Sequence, residues 1–243
     1  MNVHRLANIT WLFLFGLLAA CGGSGGGGSS SGDTSASPPV IDELPGGIWA
    51  GTTTNSQLGD TQEFIGVSTD DGRFRFLSID TLGQFVGTST VNGIDITGTG
   101  TGFAPVGFTW ADGSIFTDVT VSGTINQRTS FSGEWAAGTG ETGNFSFAYD
   151  SLHERDSSLN LVADIWTGLD EFGNPIGTVT IDTAGRLDGQ DVFGCLYLGT
   201  VSIIDSSFNV YDISMTVLNC GSLNGDYSGL GLLADVDDQN DTF

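Results

Sequence analysis

The sequence predicts an all-β protein: two glycine-rich antiparallel modules, each a small barrel or a strongly twisted sandwich, behind a signal segment and a flexible tether. Three observations carry this prediction. Apolar and polar residues alternate at period two, so that Phe145, Phe147 and Tyr149 share one face of a strand while Asn144, Ser146 and Ala148 share the other. The alternation recurs at Val119 and Val121, and again at Ile213, Met215 and Val217. Turn signals such as Asp71-Gly72, Asn92-Gly93, Asp112-Gly113, Ala184-Gly185 and Asn224-Gly225 punctuate these runs, as a meander requires.

The third observation is self-similarity. Ile48-Trp49-Ala50-Gly51 returns as Ile165-Trp166-Thr167-Gly168, and the run ending at Arg73 is echoed by the run ending at Arg186. Phe116 to Val121 is echoed by Asp212 to Val217, and each is followed by aromatic-Ser-Gly, at Phe131-Ser132-Gly133 and at Tyr227-Ser228-Gly229. Four echoes in one order indicate duplication. They place a first module at 47–150 and a second at 161–243, joined by a charged link at 151–160. One larger barrel spanning both repeats is the alternative arrangement. The second module ends without a counterpart of the strand Asn144 to Tyr149, so it is expected to keep an open edge, through a missing last strand or for a strand from a partner.

Residues 1–20 have the charge and hydropathy profile of a secretory signal: Arg5, then an apolar run from Ile9 to Leu18, then small residues. Roughly twelve apolar residues are too few to cross a bilayer core, which needs about twenty. Leu18-Ala19-Ala20-Cys21 closely resembles the cleavage box of bacterial lipoproteins. That resemblance implies a diacylglyceryl group on Cys21, cleavage before it and acylation of the new N-terminus, palmitate being a typical chain. Several acyl chains give stable anchoring where one is marginal. In the same family an aspartate after the cysteine retains the protein at the inner membrane. Here that residue is Gly22, which implies the outer membrane, on either its periplasmic or its external side.

Residues 21–46 are the lipidated cysteine and a tether of Gly, Ser and Pro, with a reach of roughly 25–30 Å. Beyond it, Gly47, Trp49 and Gly51 share one side of a strand, which lets the indole lie across bare backbone. Phe131, Gly133 and Trp135 repeat the arrangement. Gly47-x-Trp49 resembles the motif that opens lipocalin barrels, and the Gly- and aromatic-rich hairpins resemble the eight-stranded barrels of surface lipoproteins related to transferrin-binding protein B. Those resemblances imply a small barrel, with an internal pocket if the likeness to lipocalins extends that far.

The chain holds 29 acidic residues against six basic ones, all six of them arginine, for a net charge of -23. Such a chain is repelled by nucleic acid and anionic head groups, which excludes nucleic acid as the expected partner. Its sixteen Phe argue equally against disorder. With Cys21 assigned to lipid, Cys195 and Cys220 remain as a pair, most simply a disulfide in an oxidising compartment.

No catalytic constellation emerges. Gly138 to Gly143 spells a dinucleotide fingerprint but leads into a strand rather than a helix, and is expected to be a hairpin loop. The G-x-S-x-G at Gly22 to Gly26 lies in the tether. His153 stands near Ser151, Glu154 and Asp156, but in a charged link where an imidazole is expected to be solvated and unoriented. Asp235, Asp237 and Asp241, with Asp238 and Asn240 between them, form the densest set of oxygen ligands and are weak calcium candidates; Asp170, Glu171 and Asn174 are the second such set. Neither has the spacing of an EF-hand loop, so no metal and no cofactor is expected. The expected function is a lipid-anchored, non-catalytic binding module of the cell envelope, with a protein, a glycan or a small apolar molecule as ligand. A structural envelope protein, and a hydrolase using a pair among the many acids, are the alternatives.

Overall fold

The computed structural model describes residues 42–105, 107–169, 174–236 and 239–242. The signal segment, Cys21 and most of the tether lie outside them, as do Asp170, Glu171, Asp237 and Asp238.

Eight strands form a closed antiparallel barrel: β1 (Gly47–Asn55), β2 (Thr61–Ser68), β3 (Arg73–Ser78), β4 (Gln84–Asn92), β5 (Asp95–Phe103), β6 (Phe116–Asn126), β7 (Ser130–Ala137) and β8 (Thr142–Asp150). Each pairs with the next, and β8 returns to β1 in the register Trp49↔Tyr149, Gly51↔Phe147, Thr53↔Phe145. Closure leaves this sheet no free edge. The period-two pattern sorts the side chains: along β8, Gly143, Phe145 and Phe147 are buried while Asn144, Ser146 and Ala148 are exposed.

The interior is aromatic. Trp49, Phe64, Phe74, Phe76, Phe131, Trp135, Phe145 and Phe147 are all buried in one cluster. Phe131 lies 4.7 Å from Phe145 and Phe76 lies 4.8 Å from Phe147, centroid to centroid. An eight-stranded barrel is only just wide enough for its own side chains, so this many rings fit only where other inward positions carry none. Glycine supplies those positions. A Cβ on Gly66 would enter the ring of Phe76, and one on Gly143 would enter the indole of Trp135. Gly87 faces Gly100, and Gly123 faces Gly133, across neighbouring strands so closely that a Cβ on any of the four would overlap a carbonyl oxygen of the opposite strand. None of these glycines has positive φ, so what selects them is missing volume.

One end of the barrel is shut. Residues 42–46 run across it: Asp42 Oδ1 accepts from Gly93 N–H at 2.7 Å, Glu43 Oε2 from Gln127 N–H at 3.1 Å, and Asp70 Oδ1 from Gly46 N–H at 3.1 Å. Beneath this plug Trp49 is fully buried and donates from Nε1 to Ser68 Oγ at 2.7 Å, and that hydroxyl donates to the Pro45 carbonyl.

After β8, a 3-10 turn (Ser151–Glu154) and a one-turn helix, α1 (Leu159–Val162), lead to a second sheet. Its strands are β9 (Ile165–Leu169), β10 (Pro175–Ile181), β11 (Arg186–Asp191), β12 (Leu196–Ile203), β13 (Tyr211–Leu218) and β14 (Gly225–Gly231), paired in sequence order with β9 and β14 as its two edges. A separate hairpin of β15 (Ala234–Val236) and β16 (Gln239–Thr242) follows, and the calcium candidates Asp235 and Asp241 fall on its strands. Cys195 and Cys220 flank the paired strands β12 and β13 and form a disulfide with a Cα–Cα distance of 4.8 Å. Ile48 and Val67, on the outer wall of the barrel, are buried against Val210 of the sheet region, and Arg73 pairs with Asp212 at 2.8 Å.

The echoed motif residues meet different surroundings in the two halves. Trp49 is fully buried and Phe131 buried, whereas Trp166 is half-buried and Tyr227 exposed. A Cβ on Gly51 would strike the Ser146 carbonyl and the Phe147 backbone, but on Gly168 it would meet its nearest atom at an ordinary 3.6 Å. At Gly229 it would meet nothing within 4 Å. The equivalent substitutions Gly133→Ala and Gly229→Ala therefore separate the two environments. We expect Gly133→Ala to lower the unfolding free energy by about 1–3 kcal/mol through overpacking, and Gly229→Ala to change it by less than about 0.5 kcal/mol, both read from chemical denaturation. Equal effects would show that the barrel does not depend on these close approaches.

Candidate functional site

The other end of the barrel is open. Four loops surround it, at 56–60, 79–83, 104–115 and 138–141, and enclose a cup of ≈ 320 Å³. This lies at the small end of the roughly 300–1,000 Å³ typical of ligand sites. The wall and floor carry Phe64, Phe85, Trp110 and Trp135, with Phe103 and Phe108 at the lip. Asn55, Gln62 and Gln84 and the acidic residues Asp60 and Glu141 also line the cup. Below the cup, beyond Phe85 and Trp135, only a ≈ 40 Å³ apolar cavity remains among the packed rings. The barrel is thus a filled cylinder with a cup at one end. Its own side chains occupy the interior.

The longest loop, 104–115, is shaped by its own contacts. Gly107 and Gly113 both take φ +84°, a turn conformation that other residues adopt only with strain. Trp110 folds back over Gly102, donating from Nε1 to the Gly102 carbonyl at 3.2 Å, in a space that a Cβ on Gly102 would take. Ala111 N–H donates to Glu141 Oε1 at 2.6 Å, fastening this loop to the β7–β8 turn. Partial burial alone would raise the Glu141 pKa. The hydrogen bonds from Thr139 and from Ala111 N–H outweigh it and hold the carboxyl below its usual range, so the group is ionised at neutral pH. Trp135 is buried and its Nε1 has no hydrogen-bond partner among the described residues, an uncommon state for an indole N–H.

Exposed apolar side chains gather around this opening: Leu58, Ile79, Leu82, Phe103, Phe108, Ile115 and Phe116, with Phe108 at 64% and Leu58 at 74% exposure. At the plugged end only Leu44 and Ile94 of the described residues are comparable. Sequence reasoning did not single out these mouth residues. The signal was available in Phe103 to Phe116, a long aromatic-bearing loop interrupting a regular meander, where loops of that length tend to carry function.

His153 requires a correction. It is 4% exposed, not solvated, and its Nδ1 shares a 2.9 Å hydrogen bond with the Tyr149 hydroxyl. Its ring stacks on Phe208 at 4.6 Å, and Arg128 lies 5.1 Å from the same Phe208 ring. Phe208 comes from the loop between β12 and β13, a long-range contact that local sequence does not reveal. The Nδ1 partner is a tyrosine, so no Ser-His-acid relay forms there, and the imidazole instead pins the barrel to the sheet. Burial pushes its pKa down, and burial with the nearby Glu154 carboxylate raises that of Tyr149 to about 12.

The one group of His, Cys, Asp and Glu side chains among the described residues close enough to share a metal ion is Asp191, Cys195 and Cys220. Both sulfurs belong to the disulfide, which leaves a single carboxylate. The acidic stretch 235–241 cannot be placed as a site, since Asp237 and Asp238 lie outside the described residues. Gly138 to Gly143 forms the turn between β7 and β8 and the start of β8.

Burial of His153 gives a pH dependence of known sign. Above about pH 6.5 both folded and unfolded states hold the imidazole neutral and it contributes nothing. As pH falls through that value the unfolded chain takes up the proton first, so stability drops until the pH passes the lower folded-state pKa. Asp71 and Glu141, whose pKa values are also lowered but from the carboxylate range, act in a separate and more acidic window. Urea unfolding between about pH 7 and pH 5 should therefore show falling stability, with a shallower slope in His153→Gln. An unchanged slope in that variant would contradict the burial argument. Compared with known proteins, the chain matches no family model, no characterised protein and no solved structure.

Proposed function

We propose that this protein is a lipid-anchored cell-envelope lipoprotein whose barrel acts as a non-catalytic binding module, with the open mouth as its contact surface. The observation that carries the reading is the apolar collar around an aromatic cup on an otherwise hydrophilic barrel. Outward positions are polar: Thr97, Thr99 and Thr101 on β5, Asp118, Thr120, Ser122 and Thr124 on β6, Asn144 and Ser146 on β8. A wall of that kind is unsuited to lipid, where outward strand positions are apolar. Among the described residues no helix is long and apolar enough to cross a membrane. Membrane attachment is accordingly assigned to acyl chains on Cys21, reached through the tether, and the outer membrane is the proposed site because Gly22 follows that cysteine. The collar concentrates exposed hydrophobic surface where a ligand or partner would cover it.

Two measurements test this. Acyl labelling should be abolished and unprocessed precursor should accumulate in Cys21→Ser; normal processing in that variant would refute the anchor. Native mass spectrometry of the protein extracted in mild detergent should show a bound adduct, severalfold depleted when Phe103 and Phe108 are both replaced by Ala. Absence of any adduct favours a structural envelope role, and an adduct indifferent to those changes places binding elsewhere.

A further inference from the structure

The four mouth loops share a feature beyond their apolar collar. Each carries one carboxylate: Asp60 in 56–60, Asp80 in 79–83, Asp112 in 104–115 and Glu141 in 138–141. None carries Lys, Arg or His. The arginines lie away from the mouth: Arg73 and Arg75 at the start of β3 and Arg128 between β6 and β7, all at the plugged end, then Arg155 after β8 and Arg186 on β11. Asp60 and Glu141 line the cup itself, and among the described residues neither is in an ion pair. Low-dielectric walls concentrate such a one-signed field in a cleft and raise the local concentration of the opposite charge.

The walls suit the same charge. Around Trp135 stand Phe85 at 5.9 Å and Trp110 at 6.4 Å, with Phe64 5.5 Å beyond Phe85, so several ring faces and edges crowd one small space. Aromatic faces attract cations, and most strongly those that shed water easily, such as quaternary ammonium groups. From charge and ring chemistry together, we infer that the barrel mouth binds an organic cation with an apolar body, its charged head among Phe85, Trp110 and Trp135 and facing Asp60 and Glu141, and its body against the collar. Anionic ligands are repelled by the same groups. This inference rests on the mouth being the contact surface and adds the chemistry of what enters it.

The test uses acetylcholine and its neutral carbon isostere, 3,3-dimethylbutyl acetate, which differ in charge and hardly in shape, with maltotriose as a neutral saccharide. Each is titrated into the full chain while the indole N–H resonances of Trp110 and Trp135, assigned with Trp110→Phe and Trp135→Phe, are followed. Acetylcholine should bind about tenfold more tightly than its isostere, the size of a partly desolvated cation–π contact. Added salt should weaken it. Asp60→Asn, at an exposed side chain with no hydrogen bond among the described residues, should weaken it severalfold without altering thermal stability. Equal binding of the two esters overturns the cationic assignment and leaves the mouth as the site. Tighter binding of maltotriose overturns it in favour of glycan recognition. If no probe moves either indole resonance, the cationic assignment and the mouth as a small-ligand site both fall.

Discussion

The return of β8 to β1 is the constraint on which everything else in the barrel depends. Eight strands close into a cylinder with room for little more than their own side chains, and this sequence puts eight buried aromatic rings inside. Each buried ring contributes about 1.5–3 kcal/mol of hydrophobic stabilisation, but only if the space exists. The glycines create it, at Gly87 against Gly100, at Gly123 against Gly133, and beneath Phe76 and Trp135. Ring volume and missing side chains are therefore one design and cannot be varied independently.

A filled cylinder determines where binding can occur. With ≈ 40 Å³ left among the rings, a ligand has no room inside the cylinder, and the aromatic-lined cup of ≈ 320 Å³ lies at the end that no segment plugs. The loops there gather most of the barrel's exposed aromatic and aliphatic side chains, and each carries a carboxylate and no basic residue. Arginine is kept for structure at the opposite end, where Arg73 joins its own hairpin through Asp71 and the second sheet through Asp212. The second sheet is open, with β9 and β14 as its edges. There Gly199 still lies as close to the Ser214 carbonyl as the barrel glycines lie to theirs, but the glycine echoes Gly168 and Gly229 have room for a Cβ.

Much of this architecture was legible in the sequence, because strand periodicity and turn residues are local properties. The alternation in Asn144 to Tyr149 reports directly which side chains point inward, and the echo of Trp49 by Trp166 marks corresponding first strands. What the echoes could not reveal is that the same motif is sterically demanded in one half and loosely accommodated in the other, since that depends on closure, a property of the whole sheet. The burial of His153 was hidden for a related reason: its cover, Phe208, is distant in sequence. The mouth was hidden because, beyond the long aromatic-bearing loop, its residues come from separate loops and strand ends, and only the barrel's topology brings Asp60, Trp110, Trp135 and Glu141 to one opening. Cys21 is the opposite case: its role is argued from a contiguous stretch of sequence and owes nothing to the fold.

The most direct test of the central claim is amide hydrogen exchange across the β1–β8 seam. If closure and ring packing form one cooperative unit, the paired amides between Trp49 and Asn55 and between Gly143 and Tyr149 should exchange only through global unfolding, with the same protection as the interior pair β4–β5. Fast exchange confined to the seam, with β4–β5 still protected, would mean that the barrel opens along β1 and β8 and that the filled, closed cylinder is not the state on which the site depends.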